Sequence, residues 1–321
     1  MTYDSFIVAI KPFFLLKNLL LYKNMNPNLI QDTQALINAS QTTRRDFMKV
    51  TSLGGLGYAL AASPVMAQAI KTDFVGLKCS DETISYGDSK LPIYVAKPEN
   101  AKGPLPVMIV VSEIFGVHEY IADVARRFAK LGYLAIAPEF FYRAGNPQQI
   151  GTMAQIMSDI IAKTPDQQVM QDVTETINWA KNNGGNANRV GINGFCWGGR
   201  IVWLACEQVA GIKTGVAWYG RLTGDKTANY PNHPIDLVKQ LKAPVLGLYG
   251  AKDAGISVAT VSAMQHALHQ NKDKRAAQQS EFVLYSQAGH AFHADYRPSY
   301  VPAAAKDGWE KAVEWFKGKG V

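Results

Sequence analysis

Cys196 stands in Gly194-Phe195-Cys196-Trp197-Gly198-Gly199, between an apolar run, Val190-Gly191-Ile192, and a helical pattern carrying Ile201, Val202, Leu204 and Ala205. Small residues on both sides of a cysteine let two backbones approach closely. A G-x-nucleophile-x-G turn between strand and helix is a nucleophile elbow, here with cysteine where serine is commoner. Such a turn lifts the thiol above the sheet at a helix N-terminus, where backbone N–H groups and the helix dipole favour a thiolate and a nearby oxyanion. The plainer reading is a buried cysteine in a glycine-rich turn; a strand before and a helix after favour the elbow.

A thiolate nucleophile needs a base, and the base needs an acid to orient it. Asp253, in Gly250-Ala251-Lys252-Asp253, follows an apolar strand, and His290, in Gly289-His290, follows the last strand. The order nucleophile, acid, histidine is that of the α/β-hydrolases. Alone, an aspartate at a loop start is usually a cap or turn residue. His118, His233, His266, His269 and His293 compete for the base, His293 being close in sequence to His290. His266 and His269 share a helix face, but no carboxylate or cysteine completes a metal site around them, and they read as surface residues. The loop after the first buried strand supplies one oxyanion donor in this fold. The backbone N–H groups of Ile114 and Trp197 are therefore expected to face a substrate carbonyl, with Glu113 beside them in Ser112-Glu113-Ile114-Phe115-Gly116. The sequence has no H-E-x-x-H or C-x-x-C, so metal catalysis has no support, and it has no P-loop and no strand-following G-x-G-x-x-G.

These residues need strands to carry them. Pro106–Val111, Tyr133–Ala137, Thr214–Tyr219 and Pro244–Gly250 are continuous apolar runs, as in strands buried on both faces. Between them lie helical patterns at Glu119–Leu131, Pro165–Asn182 and Val258–His269, and Ala303–Lys317 closes the chain. Thr83–Tyr86 and Leu91–Ala96 read as a leading hairpin turned at Gly87-Asp88-Ser89. Residues 147–164 suggest short helices, and 221–243 a polar loop. Strands alternating with helices give an α/β fold, a mostly parallel doubly wound sheet in one domain, with its site at the C-terminal strand ends.

The 321 residues are 47% hydrophobic and 18% charged, which is globular. Net charge is +7, but residues 1–69 hold six Lys/Arg against three Asp/Glu, so the rest is only mildly basic. Its one basic cluster, Lys272-Asp273-Lys274-Arg275, reads as a solvated face, and nucleic-acid binding has no support. Cys79 and Cys206 read as isolated thiols rather than a disulfide framework. Thr43-Arg44-Arg45-Asp46-Phe47-Met48-Lys49, a weakly apolar run to Pro64 and Val65-Met66-Ala67-Gln68-Ala69 read as a twin-arginine signal with cleavage after Ala67 or Ala69. Met25 is a more ordinary start than Met1. Residues 1–69 are thus expected to address the twin-arginine export machinery of a bacterium, and residues 70–321 to form the exported domain, a monomer.

Several separated motifs resemble the dienelactone hydrolase (carboxymethylenebutenolidase) family: Ser112-Glu113-Ile114-Phe115-Gly116-Val117, Pro138-Glu139-Phe140-Phe141-Tyr142-Arg143, the Cys196 elbow, Trp218-Tyr219-Gly220, Gly250-Ala251-Lys252-Asp253 and Ala288-Gly289-His290-Ala291-Phe292. The resemblance runs from about Thr83 to Lys317 and implies an α/β-hydrolase with a Cys196–His290–Asp253 triad and no cofactor. It further implies that Glu113 meets the resting thiol and helps deprotonate it, that Arg143 holds a substrate carboxylate, and that Tyr219 lies at the substrate. The family's second arginine, four residues after the histidine, corresponds to Ala294, with Arg297 three residues on. The expected activity is opening of a lactone or cleavage of a small ester, carboxylated by preference, through an acyl thioester. A thiol hydrolase of broader range and a non-catalytic binding protein on the same fold are the alternatives.

Overall fold

The computed structural model describes residues 69–321, so the twin-arginine pattern and the residues before it lie outside the described part. The elements in order are β1 (Leu77–Tyr86), β2 (Ser89–Pro98), β3 (Leu105–Val111), α1 (Glu119–Lys130), β4 (Leu134–Pro138), α2 (Asp166–Asn182), β5 (Gly185–Phe195), α3 (Trp197–Gln208), β6 (Ile212–Trp218), β7 (Val245–Gly250), α4 (Val258–Gln270), β8 (Glu281–Tyr285) and α5 (Pro302–Gly318). The strands form one sheet in the order β1-β2-β4-β3-β5-β6-β7-β8. β1 and β2 run antiparallel, β2 joins β4 antiparallel, and every remaining pairing is parallel. Parallel neighbours need a long crossover, which the intervening helices provide.

Side-chain alternation divides the core into two layers. Val107, Ile109 and Val111 of β3 and Leu134 and Ile136 of β4 face a cluster with Val173 and Ile177 of α2, Ile201 and Val202 of α3 and Met264 of α4. Met108, Val110, Ala135 and Ala137 point the other way, onto Ile121, Val124 and Phe128 of α1 and Trp315 and Phe316 of α5. The period of two therefore makes each central strand apolar on both faces, which is why its sequence reads as an unbroken apolar run. Burying one such large apolar side chain is worth about 1.5–3 kcal/mol.

Two elements extend beyond the sequence reading. The hairpin is longer than expected, pairing Leu77 with Pro98 and Tyr86 with Ser89 across Gly87-Asp88. β5 starts at Gly185, where Leu105 pairs with it ahead of a register shift. Within 147–164 the chain makes short turns of 3-10, α and π type. The 221–243 loop carries a short helix, Pro234–Leu237, capped by His233 through reciprocal bonds with Asp236. Residues just past the expected boundary lie along α1: the Thr72 N–H donates to Asp123 Oδ1 at 2.6 Å, and the Arg126 guanidinium sits 4.7 Å from the Phe74 ring.

Candidate active site

β5 ends at Phe195 and α3 begins at Trp197, so Cys196 alone makes the corner. Its backbone sits at φ +55°, ψ −114°, a strained conformation for a residue with a Cβ. The surrounding glycines explain how so tight a corner fits. A Cβ on Gly194 would lie 2.4 Å from the Gly198 carbonyl oxygen, one on Gly198 2.5 Å from that of Val111, and one on Gly199 2.5 Å from that of Trp218. Gly220 answers Gly199 from the other side, its Cβ position being 2.2 Å from the Gly199 carbonyl carbon. The elbow is thus wedged between the ends of β3 and β6, and the Cys196 N–H donates to the Trp218 carbonyl at 3.0 Å. Among the described residues the other non-glycine positive φ angles are at Tyr219 (+39°) and Ala291 (+57°), both beside site residues.

The loops after β7 and β8 bring Asp253 and His290 together. His290 Nδ1 lies 2.7 Å from Asp253 Oδ2. A carboxylate only accepts, so Nδ1–H is the donor and Nε2 is left for another partner. Asp253 Oδ1 accepts from the N–H groups of Gly255 (2.8 Å) and Ile256 (3.1 Å), which fix the carboxylate from behind. Burial by itself would push the His290 pKa down. The charge on the Cys196 sulfur, hydrogen bonds with Asp253 and Cys196, and the Asp253 charge outweigh it and raise the pKa from 6.5 to about 10. The imidazole therefore keeps its proton at neutral pH. Cys196 is half-buried, whereas Cys206 is fully buried and its thiol is pushed up by that burial and by the Glu207 charge.

The competing histidines go elsewhere. His293 is buried, with Nδ1 2.6 Å from the Tyr120 hydroxyl and its ring stacked on Phe195 at 5.1 Å. Burial and the Arg127 charge hold its pKa well below the usual value, so it is a neutral core group. His266 and His269 are exposed on α4.

Glu113 is wholly buried, and its partners come from the loop after His290 and from the start of α1. The Tyr296 hydroxyl donates to Oε2 at 2.7 Å, His118 Nε2 lies 3.8 Å from the same oxygen, and Arg297 Nη1 lies 3.7 Å from Oε1. Burial pushes the Glu113 pKa up, but the His118 imidazole, the Arg297 charge and the Tyr296 hydroxyl together pull it below its ordinary value. The carboxyl is therefore ionised. Its hydrogen bond comes from Tyr296, while the Cys196 sulfur interacts with His290. Tyr296 and the clasping position of His118 escaped the sequence reading; their only signal was adjacency to the Glu113 and His290 motifs. The loop carrying Glu113 is itself pinned by Glu139, whose Oε2 accepts from the Val117 N–H at 2.8 Å.

The backbone N–H groups of Ile114 and Trp197 donate to no backbone or side-chain acceptor among the described residues. Tyr219 is buried, with its ring 5.1 Å from that of His290. Burial, helped by the Tyr120, Glu113 and Cys196 charges, raises its pKa well above the usual value. The Tyr219 hydroxyl is buried beside that of Tyr120. Arg143 lies on the loop after β4, which reaches the elbow through Phe141, 4.6 Å from the Trp197 ring. Its guanidinium is already engaged: Nη1 donates to Asp172 Oδ2 at 2.9 Å, and Nη2 to Asp172 Oδ1 at 3.1 Å, the Tyr86 hydroxyl at 2.6 Å and Ser89 Oγ at 2.9 Å.

The model of the dienelactone hydrolase family matches residues 91–319. A candidate carboxymethylenebutenolidase of Methylorubrum extorquens is 49% identical over 286 residues, 88% of this chain and 96% of that protein. One of Escherichia coli is 46% identical over 264 residues, 82% of this chain and 96% of its own length. The crystal structure of a candidate dienelactone hydrolase from Klebsiella pneumoniae superposes with a TM-score of 0.72 at 47% identity, covering 75% of this chain and 98% of the other. With the family model matched over residues 91–319 and relatives near 47–49% identity aligned over almost their full length, the chain belongs to the dienelactone hydrolase family, within the α/β-hydrolases.

Proposed function

We propose that this hydrolase opens a lactone or cleaves a small ester through Cys196, His290 and Asp253. The observation that carries the reading is the hydrogen-bonded line from the Gly255 and Ile256 N–H groups through Asp253 to His290, whose imidazole interacts with the Cys196 sulfur at the elbow. Cys196 Sγ attacks the carbonyl carbon, and the carbonyl π electrons move onto oxygen. The N–H groups of Ile114 and Trp197 hold that oxyanion; a donor of this kind is typically worth about 3–4 kcal/mol in the transition state. As the tetrahedral carbon collapses, the C–O bond to the alkoxide breaks, and His290 Nε2 gives the alkoxide its proton. Neutral His290 then takes a proton from water, which attacks the acyl thioester, and the thiolate leaves with the carboxylate product formed. Asp253 holds the imidazole in one tautomer and balances its charge. Tyr219 borders the substrate. The twin-arginine pattern supports action outside the bacterial cytoplasm, and one chain carries every group the reaction uses.

Hydrolysis of para-nitrophenyl acetate by purified protein tests this. Cys196→Ala is expected to lose about 10³-fold or more. Equal rates for wild type and variant would overturn the mechanism.

A further inference from the structure

We infer that the exported protein begins at Ile70, and that the α-ammonium freed by cleavage of the Ala69–Ile70 bond pairs with buried Asp295, fixing the loop that carries His290 and Tyr296. The inference rests on the twin-arginine reading and goes beyond the hydrolase chemistry.

Residues 70–75 are tied to the folded domain. The Thr72 N–H donates to Asp123 Oδ1 at 2.6 Å, and the Thr72 carbonyl accepts from Arg126 Nε at 3.2 Å. Lys130 Nζ donates to Asp73 Oδ1 and to the Val75 carbonyl, each at 2.6 Å. Arg127 carries this anchorage to the loop after His290: its Nε lies 2.6 Å from Asp123 Oδ2 and its Nη2 2.6 Å from Asp295 Oδ2. Two residues before Thr72, the Ile70 N–H faces the Asp295 carboxylate. Asp295 is 2% exposed and directly precedes Tyr296, the donor to Glu113. It shares Arg127 with Asp123, and burial leaves its pKa above the ordinary value despite the Arg127 charge. A buried carboxylate in that position gains from a second cation.

The sequence offers two cleavage points, after Ala67 and after Ala69. The second creates the ammonium at the nitrogen that already faces Asp295. Cleavage after Ala67 leaves that nitrogen a neutral amide and puts the charge at Gln68. Ala67-Gln68-Ala69 is also the small-x-small pattern that a signal peptidase cuts behind, and Ile70 is 49% exposed. As the C–N bond breaks, water gives its hydroxyl to the Ala69 carbonyl carbon and a proton to the Ile70 nitrogen. The new carboxyl then ionises, and the amine takes up a second proton. A neutral donor to Asp295 thereby becomes a charged one, and charge-assisted hydrogen bonds are about twice as strong as neutral ones.

The full chain is produced in a bacterium with twin-arginine export, and the exported protein is sequenced from its N-terminus. Ile70 is expected first; any other first residue, or an uncut chain, overturns the assigned cleavage. The uncut comparison is the full chain with Arg44→Lys and Arg45→Lys, retained inside the cell. At pH 7 the cut form should have an unfolding constant about tenfold smaller than the uncut form, and Asp295→Asn in both should abolish that difference. A difference that is the same with and without Asp295 overturns the pair. A free α-amine titrates near about 7.7–8. Pairing raises that value, so the gain is fully present below about pH 7.7 and is lost as pH rises through the raised value. The other groups facing Asp295, namely Arg127, Asp123, Tyr120 and Tyr300, are common to both forms and cancel, as does Lys71. The cut form should also turn over para-nitrophenyl acetate about threefold faster or more, with the same pH course; equal turnover overturns the effect on the catalytic loop. If Asp295→Asn does not fold, the pH dependence of α-amine acetylation in the wild-type cut form decides. A midpoint about one unit or more above 8 supports the pair, and an ordinary midpoint overturns it. The sequencing, unfolding and acetylation readouts do not depend on the hydrolase mechanism, whose failure would show separately as equal ester hydrolysis by Cys196→Ala and wild type.

Discussion

Replacing Gly198 by alanine isolates the elbow geometry from the chemistry of its side chains. The new Cβ would stand 2.5 Å from the Val111 carbonyl oxygen and 2.6 Å from that of Ser112, whereas ordinary contact begins near 3.4 Å. Relief needs the first turn of α3 and the end of β3 to separate by about 0.9 Å, the difference between 3.4 and 2.5 Å. Both obstructing atoms are backbone, so neither can rotate aside. The separation falls between Trp197 on one side and Ile114 on the other, and so pulls the two oxyanion donors apart. Losing one donor costs about 10²–10³ in rate, and a misplacement of ~1 Å has a similar effect. Stability changes less. Overpacking costs about 1–3 kcal/mol, and alanine's better helix propensity returns up to ~1 kcal/mol. The expected signature is a folded protein with kcat/KM on para-nitrophenyl acetate down about a hundredfold. Gly318→Ala is the control: it has the same propensity gain and nothing within 4 Å of its Cβ position, so activity should be unchanged. A folded Gly198→Ala protein retaining activity within about threefold of wild type would refute the argument that this close approach sets the donors.

Two further predictions concern the charges. Because the His290 pKa is raised from 6.5 to about 10, its stabilising contribution is fully present below pH 6.5 and declines until it is lost above about 10. Denaturant unfolding should therefore show wild type gaining most over His290→Gln near pH 6, with the gap closing by pH ~10.5; a gap that widens with pH would be the wrong sign. Tyr296→Phe removes the hydrogen bond that helps keep Glu113 ionised, so the Glu113 pKa should rise and the stability it contributes above its unfolded pKa of 4.5 should begin to fade at higher pH as acid is added. The loss at neutral pH should be about 1–3 kcal/mol, read by the same unfolding experiment, and an acid-unfolding midpoint identical to wild type would contradict the role given to Tyr296.

The sheet was legible because its central strands are apolar on both faces, and the elbow because glycine spacing encodes close approach directly. Asp253 and His290 could be found because each follows its own strand, and topology gathers strand ends. β1 was harder: it is an edge strand whose alternation is blurred, with only Ile84 fully buried. The start of β5, Gly185-Asn186-Ala187-Asn188, has turn composition and is held as strand by Leu105 across a shifted register. The partners of the charged residues were not legible at all. Tyr296 and Glu113 are 183 residues apart, and Arg143 and Asp172 meet across 29 residues through different elements. No periodicity reports such pairs, so the sequence could not show that a buried aspartate holds Arg143.

The identity of the nucleophile can be read directly. Wild-type protein mixed with para-nitrophenyl acetate, quenched in acid during turnover and digested, should carry the acetyl group on the Cys196 peptide and none on those of Cys79 or Cys206. Steady release of para-nitrophenol with Cys196 unmodified, at a rate that Cys196→Ala reproduces, would contradict the account.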